Sequence, residues 1–85
     1  MVNLEISLMG IQMWRKDGKY DRLNRPSFIF KCGNRYWSQC GKWHRVDGPA
    51  KEYSDGTKQW YYQGKYIACS TQEEFEKLIK LRLLW

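Results

Sequence analysis

A chain of 85 residues has room for one small domain, which excludes deep machinery assembled from many elements. Five Trp, six Tyr and three Phe supply large apolar area per residue, so aromatics are the expected core of a sheet stabilised without staples. The formal charge of +6 favours acidic partners of any kind, and its spread along the whole chain selects none of them.

Three cysteines, Cys32, Cys40 and Cys69, cannot all pair, and no charged-then-apolar leader precedes them, which points to a reduced, cytoplasmic compartment. No stretch approaches the roughly 20 apolar residues of a membrane helix, so no membrane partner is expected.

An internal repeat organises the elements. Trp14, Trp37 and Trp60 recur every 23 residues, as do Gly10, Gly33 and Gly56, then Gly18, Gly41 and Gly64, then Lys19, Lys42 and Lys65. Tyr20, Trp43 and Tyr66 share the next column, Arg22 matches Arg45, and Pro26 matches Pro49. Units therefore run from Asn3 to Arg25, Pro26 to Gly48, and Pro49 to about Ser70. Within each, a glycine turn ("MGI", "CGN", "DGT") is followed eight residues later by a second ("KDGK", "QCGK", "YQGK"). Aromatic and β-branched runs flank both turns, which predicts strands of about five or six residues in a meander. "RLNRPS" and "RVDGPA" link the units, each carrying a proline that can open a strand. Most of "HRVDGPAKEYSDG" is thus scaffold, with His44 the exception, since its counterparts are Asp21 and Ile67.

Residues 71–85 follow a different pattern. Ser70, Thr71, Glu73 and Glu74 offer a capping box, and Lys77, Lys80 and Arg82 complement the dipole of a helix starting near Thr71. Phe75, Leu78, Ile79 and Leu81, with Trp85, form the stripe expected to cover the sheet. The apolar tail Leu83, Leu84 and Trp85 either tucks under the sheet or offers a patch to a partner. The fold class is α+β: an antiparallel β-meander of two and a half to three hairpin repeats over residues 1–70, with one C-terminal helix packed on it.

The Trp, the Gly-Lys four residues later, and the "DG" before the next aromatic strand resemble the MORN-repeat class. "GKWHRVDGPAKEYSDGTKQWYYQGK" is similar to a variant of that repeat found in small proteins of tailed bacteriophages. The likeness is strong over residues 37–65 and weak over 3–36, where Asp21, Asn24 and Arg25 replace His44, Asp47 and Gly48. It implies a sheet used for binding, in phage accessory or host-takeover roles in the host cytoplasm, and no particular reaction.

Enzyme readings find little support. Cys40 with His44 is the one nucleophile–base pair close in sequence, and no oxyanion element accompanies it. Cys32, Cys40, His44 and Cys69 are zinc-ligand types without paired spacing. The carboxylates Glu5, Asp17, Asp21, Asp47, Glu52 and Asp55 are scattered. No catalytic residue, metal or cofactor is assigned. Two binding readings follow: a clamp on a host protein that inhibits or modulates it, or a basic and aromatic surface for single-stranded nucleic acid or a nucleotide. The recurring Trp14, Trp37 and Trp60 read as a structural ladder. Candidate partner- or anion-binding residues are Lys19, Lys42 and Lys65 with Arg22 and Arg45, then Trp43 and His44, with Tyr62 and Trp85 as aromatic anchors. Open sheet edges also allow pairing with a second copy.

Overall fold

The computed structural model describes residues 2–22 and 24–83. It is an antiparallel β-meander with one C-terminal helix among the described residues, an α+β arrangement. The first unit supplies β1 (Val2–Ile6), β2 (Gln12–Lys16) and β3 (Lys19–Tyr20). The second supplies β4 (Phe28–Ile29), β5 (Arg35–Tyr36), β6 (Ser38–Gln39) and β7 (Lys42–Trp43). The third supplies β8 (Lys51–Glu52), β9 (Lys58–Tyr62) and β10 (Lys65–Ile67), and α1 (Gln72–Leu83) follows. The main sheet is ordered β1-β2-β4-β5-β8-β9-β10, with β3 paired to β2, while β6 and β7 form their own ladder.

Both turns recur in register. The N–H of Gly10, Gly33 and Gly56 donates to the carbonyl of Ser7, Phe30 and Tyr53 at 2.9, 2.9 and 3.0 Å. The second turns hold Asp17-Gly18, Cys40-Gly41 and Gln63-Gly64, every residue at positive φ between 50° and 85°. Two successive positive φ values are the type I′ hairpin turn, whose twist matches its flanking strands. Cys40 is therefore a turn residue in a conformation that suits Asn or Gly better.

Strand length departs from expectation in every unit: β3 to β8 are two residues each and β10 three, against five in β1, β2 and β9, and in the second unit a run predicted at five or six residues splits into β5 and β6. Trp37 is the cause: its N–H donates to Ala50 at 2.7 Å, while its carbonyl accepts from the N–H of His44 at 3.1 Å. The chain changes partner at the tryptophan, so Tyr36 and Ser38 belong to different ladders. Trp14 makes the same switch between Ser27 (2.9 Å) and Asp21 (3.1 Å).

The buried set is small: Trp37, Gly48, Pro49, Ala50, Trp60, Ile67 and Phe75, with Ser27 and Ser38 as buried polar residues. The two serine hydroxyls bond each other, and that of Ser38 also donates to the Tyr20 carbonyl at 3.0 Å. Each repeated tryptophan needs a cover. The Arg22 guanidinium lies 3.8 Å from the Trp14 ring centroid and donates to the Pro26 carbonyl at 3.3 Å. Arg45 does the same over Trp37, at 3.8 Å, with Pro49 at 3.1 Å. The third unit has Ala68 in that column, and α1 supplies the cover instead. Phe75, fully buried, packs on Trp60 and Ile67, and Trp60 Nε1 donates to Gln72 Oε1 at 2.8 Å.

The helix begins as expected. Thr71 Oγ1 accepts the N–H of Glu74 at 3.2 Å, and the Ser70 hydroxyl donates to the Glu74 carboxylate at 2.8 Å, which holds that carboxyl below its usual range. Leu78 and Ile79 flank Phe75 on the core side. Leu81, expected on this stripe, is 55% exposed; six residues beyond Phe75 at 3.6 per turn, it has rotated away from the sheet. The tail expectation falls on Leu83, Leu84 and Trp85, whose side chains lie outside the described residues. No helix among the described residues is long and apolar enough to cross a membrane.

Candidate functional site

Strand alternation divides the aromatics between two faces. Trp60 faces α1, so its neighbours Gln59 and Tyr61 face the other way. On that second face six rings form one connected layer. Tyr20 packs on Phe28 with centroids 4.5 Å apart, Phe28 on Trp43 at 5.4 Å, Trp43 on Tyr36 at 5.4 Å, and Tyr36 on Phe30 at 4.8 Å and Tyr53 at 5.7 Å. Tyr61 and Tyr66 pack on each other at 5.6 Å as a separate pair, which Lys51 joins to the layer. Most contacts are tilted or edge-to-face, the arrangement favoured by ring quadrupoles.

Lys51 stands at the centre of this layer. Its ammonium lies 4.8 Å from the Trp43 ring centroid and 5.0 Å from both Tyr36 and Tyr61. Three ring faces hold the cation without a carboxylate. Its counterpart one unit earlier is Phe28, so the repeat replaces a ring with a charge where the layer is densest. Seven of the eight rings are half-buried and Tyr66 is 55% exposed, while α1 packs around Trp60 on the opposite face. Burial and the Tyr36 hydroxyl raise the Tyr53 phenol above its usual range, keeping it a neutral donor.

The nominated basic residues lie apart from this layer. Lys19, Lys42 and Lys65 are exposed, each just after a type I′ turn, and none joins an ion pair among the described residues. Their stems form a row across units: a Cβ on Gly41 would meet Lys19 Cβ at 3.8 Å, and one on Gly64 would meet Lys42 Cβ at 3.5 Å. Covering the next turn is thus one role of Lys19 and Lys42. A cleft of about 250 Å³ between the second and third turns is lined by Gln39, Cys40, Lys42, His44 and Gln63, with no carboxylate.

His44 loses its exceptional status. Its Nδ1 accepts the Gln63 N–H at 2.9 Å, as Asp21 Oδ2 accepts the Cys40 N–H at 2.9 Å one unit earlier. Both side chains staple the following turn, which assigns His44 the neutral tautomer with hydrogen on Nε2. Burial lowers its pKa accordingly. Tyr62 packs on the imidazole at 5.0 Å. Arg22, His44 and Arg45 line a second cleft with Trp37 and Asp47, but Arg45 is already committed to Trp37, Pro49, Asp47 and Glu52.

Of the nominated residues, the structure joins Lys42 to His44, and Arg22 to His44 and Arg45. It sets Trp43 in the aromatic layer, and Trp85 lies outside the described residues. Cys40 and His44 share a cleft, with the imidazole Nδ1 engaged by backbone. Cys69 is raised by burial and the Glu74 charge, which disfavours the thiolate. Among the described residues, no three His, Cys, Asp or Glu side chains stand close enough to share a metal ion. Sequence reasoning missed Lys51, Tyr36 and Tyr61. The signal was present in the alternation: beside each ladder tryptophan, Tyr36 and Tyr61 must face the opposite way.

No family model matches the chain, and neither a curated protein nor a solved structure matches it.

Proposed function

We infer that the protein is a non-enzymatic binding module that engages a protein partner through the aromatic face of its sheet. One observation carries this reading: a half-buried layer of six contacting rings that Lys51 joins to the Tyr61–Tyr66 pair, on the face opposite α1. Aromatic anchors dominate protein interfaces because each desolvates a large, rigid area at low entropic cost. In this role Trp43, Tyr36 and Tyr61 are anchors that the repeat holds in place, and Lys51 sets the preferred partner chemistry as apolar with an acidic or carbonyl contact at its centre. The MORN-like repeat adds that the partner is a host protein whose activity is inhibited or modulated.

The test is retention of proteins from nuclease-treated lysate at low and high salt. One protein held at high salt, and lost with Tyr66→Ala or Trp43→Ala, supports the reading. Tyr66 is exposed, so its truncation leaves the fold intact.

A second reading has its own observation, the row of Lys19, Lys42 and Lys65 beside the carboxylate-free cleft. There the ligand is anionic, single-stranded nucleic acid or a nucleotide, and affinity falls steeply with salt. Retention of nucleic acid alone, released by salt and weakened by Lys42→Ala, replaces the first reading with this one.

A further inference from the structure

We propose that β1 pairs antiparallel with β1 of a second copy about a two-fold axis at Leu4, joining the two sheets into one. The backbone supplies the argument. The N–H of Ser7 donates to Ile11 across the first hairpin at 2.9 Å. An antiparallel ladder alternates in steps of two, so Glu5 and Asn3 also direct their backbone groups inward, toward Met13 and Arg15. Val2, Leu4 and Ile6 then direct theirs outward. The parity of β2 agrees, since Trp14 N–H leaves β1 and donates to Ser27.

These outward groups are self-complementary. With the axis at Leu4, Leu4 faces Leu4 of the second copy and Val2 faces Ile6, each as a hydrogen-bonded pair, giving six new backbone bonds. The side chains agree with the backbone. Val2, Leu4 and Ile6 are 40%, 51% and 64% exposed on one face, and Leu8 and Met9 are exposed at the same edge. On the other face Asn3 meets Glu5, so no like charges oppose one another.

Charge selects this edge and a second copy as its occupant. No Lys or Arg precedes Arg15, and Glu5, the one charged side chain among the first fourteen, is paired with Arg15 at 2.9 Å. Two chains of +6 repel least where neither carries a cation. The edge also lacks the lysine, proline or bulge that usually blunts open strands. The opposite edge, β10, begins with Lys65 and ends under Phe75. A perpendicular two-fold axis leaves both aromatic layers on one side of the joined sheet, making the partner-binding face bivalent.

Five strand residues bury less than a standard interface, so association is reversible, with a dissociation constant on the order of tens of micromolar. Sedimentation equilibrium of the full chain across a wide concentration range reads it. We expect a monomer–dimer equilibrium that Leu4→Pro weakens by at least about tenfold. This proline removes an outward N–H and leaves the ladder to β2 intact. Circular dichroism checks the fold, and Leu4→Lys, which places two cations on the axis, substitutes if Leu4→Pro unfolds. In a background with Cys32, Cys40 and Cys69 changed to Ser, Leu4→Cys forms a covalent dimer and Glu5→Cys does not. A chain that stays monomeric, a dimer insensitive to both Leu4 variants, or equal crosslinking at Glu5 overturns the proposal.

Discussion

At its β10 edge the sheet is closed: α1 folds back, Phe75 fills the space over Trp60 and Ile67, and Gln72 takes the indole N–H. At its β1 edge, three strand side chains and the tip of the first turn stand in solvent. Both ends come from the same 23-residue frame. A unit of this length cannot bury its own apolar surface, so each relies on a neighbour, and the last in a row needs something else. Here the helix is that something at one end, and Ala68 in the arginine column leaves room for it. The contrast separates an end finished within the chain from one left open for another molecule.

Phe75→Ala attacks the closed end. It should cost about 3–5 kcal/mol by chemical denaturation, as a fully buried ring replaced by a cavity. Leu4→Ala at the open end should cost less than about 1 kcal/mol in dilute protein, its side chain being half-exposed. Equal losses would erase the contrast. The clasps between the ends come next. Arg45→Ala removes the stack on Trp37 and leaves Glu52 to Arg35 alone, costing about 2 kcal/mol. Arg22→Ala should cost about half that, because Arg22 has no carboxylate partner among its contacts and is disfavoured by burial and the charge of Arg25.

The turn staples give a smaller, pH-dependent effect. The folded state lowers the pKa of His44 below 6.5, so the unfolded chain binds the proton more readily. The stability His44 contributes is complete above pH 6.5 and is lost as pH falls through the lower folded value. His44→Asp, which copies the staple of the first unit, should remove that component from a plot of melting temperature against pH. Smallest is Cys40→Asn, expected to stabilise by about 0.5 kcal/mol because Asn tolerates left-handed φ better than Cys.

The repeat made the turns, the linkers and the sheet readable, since identical columns demand identical local geometry and the positive φ at Gly18, Gly41 and Gly64 follows from two-residue hairpins. The capping box placed the helix start. Roles that depend on what a neighbouring unit contributes were harder to read. His44 looked unlike its counterparts because Asp and His differ as residues, yet both accept one N–H from the next turn. The paired Arg22 and Arg45 looked available as cations, while the tryptophan eight residues upstream holds each of them. Lys51 drew no notice because a single lysine in a basic chain is ordinary until three rings surround it. Leu81 failed because the apolar run "LIKLRLL" contains more leucines than one helical face can seat.

The partner switch at Trp14 and Trp37 gives the molecule a natural quantum of length. Key hydrogen bonds between units join positions that recur 23 residues apart, as in Gly41 to Tyr20 and Gly64 to Trp43 at 3.0 and 2.8 Å, and Trp14 to Ser27 and Trp37 to Ala50 at 2.9 and 2.7 Å. A duplicated segment of residues 26–48 inserted after Gly48 would find these recurring donors and acceptors already waiting, whereas one residue more or fewer would invert every strand it touched. Growth of this sheet by gene duplication is therefore all-or-none, and its span can change only in whole units.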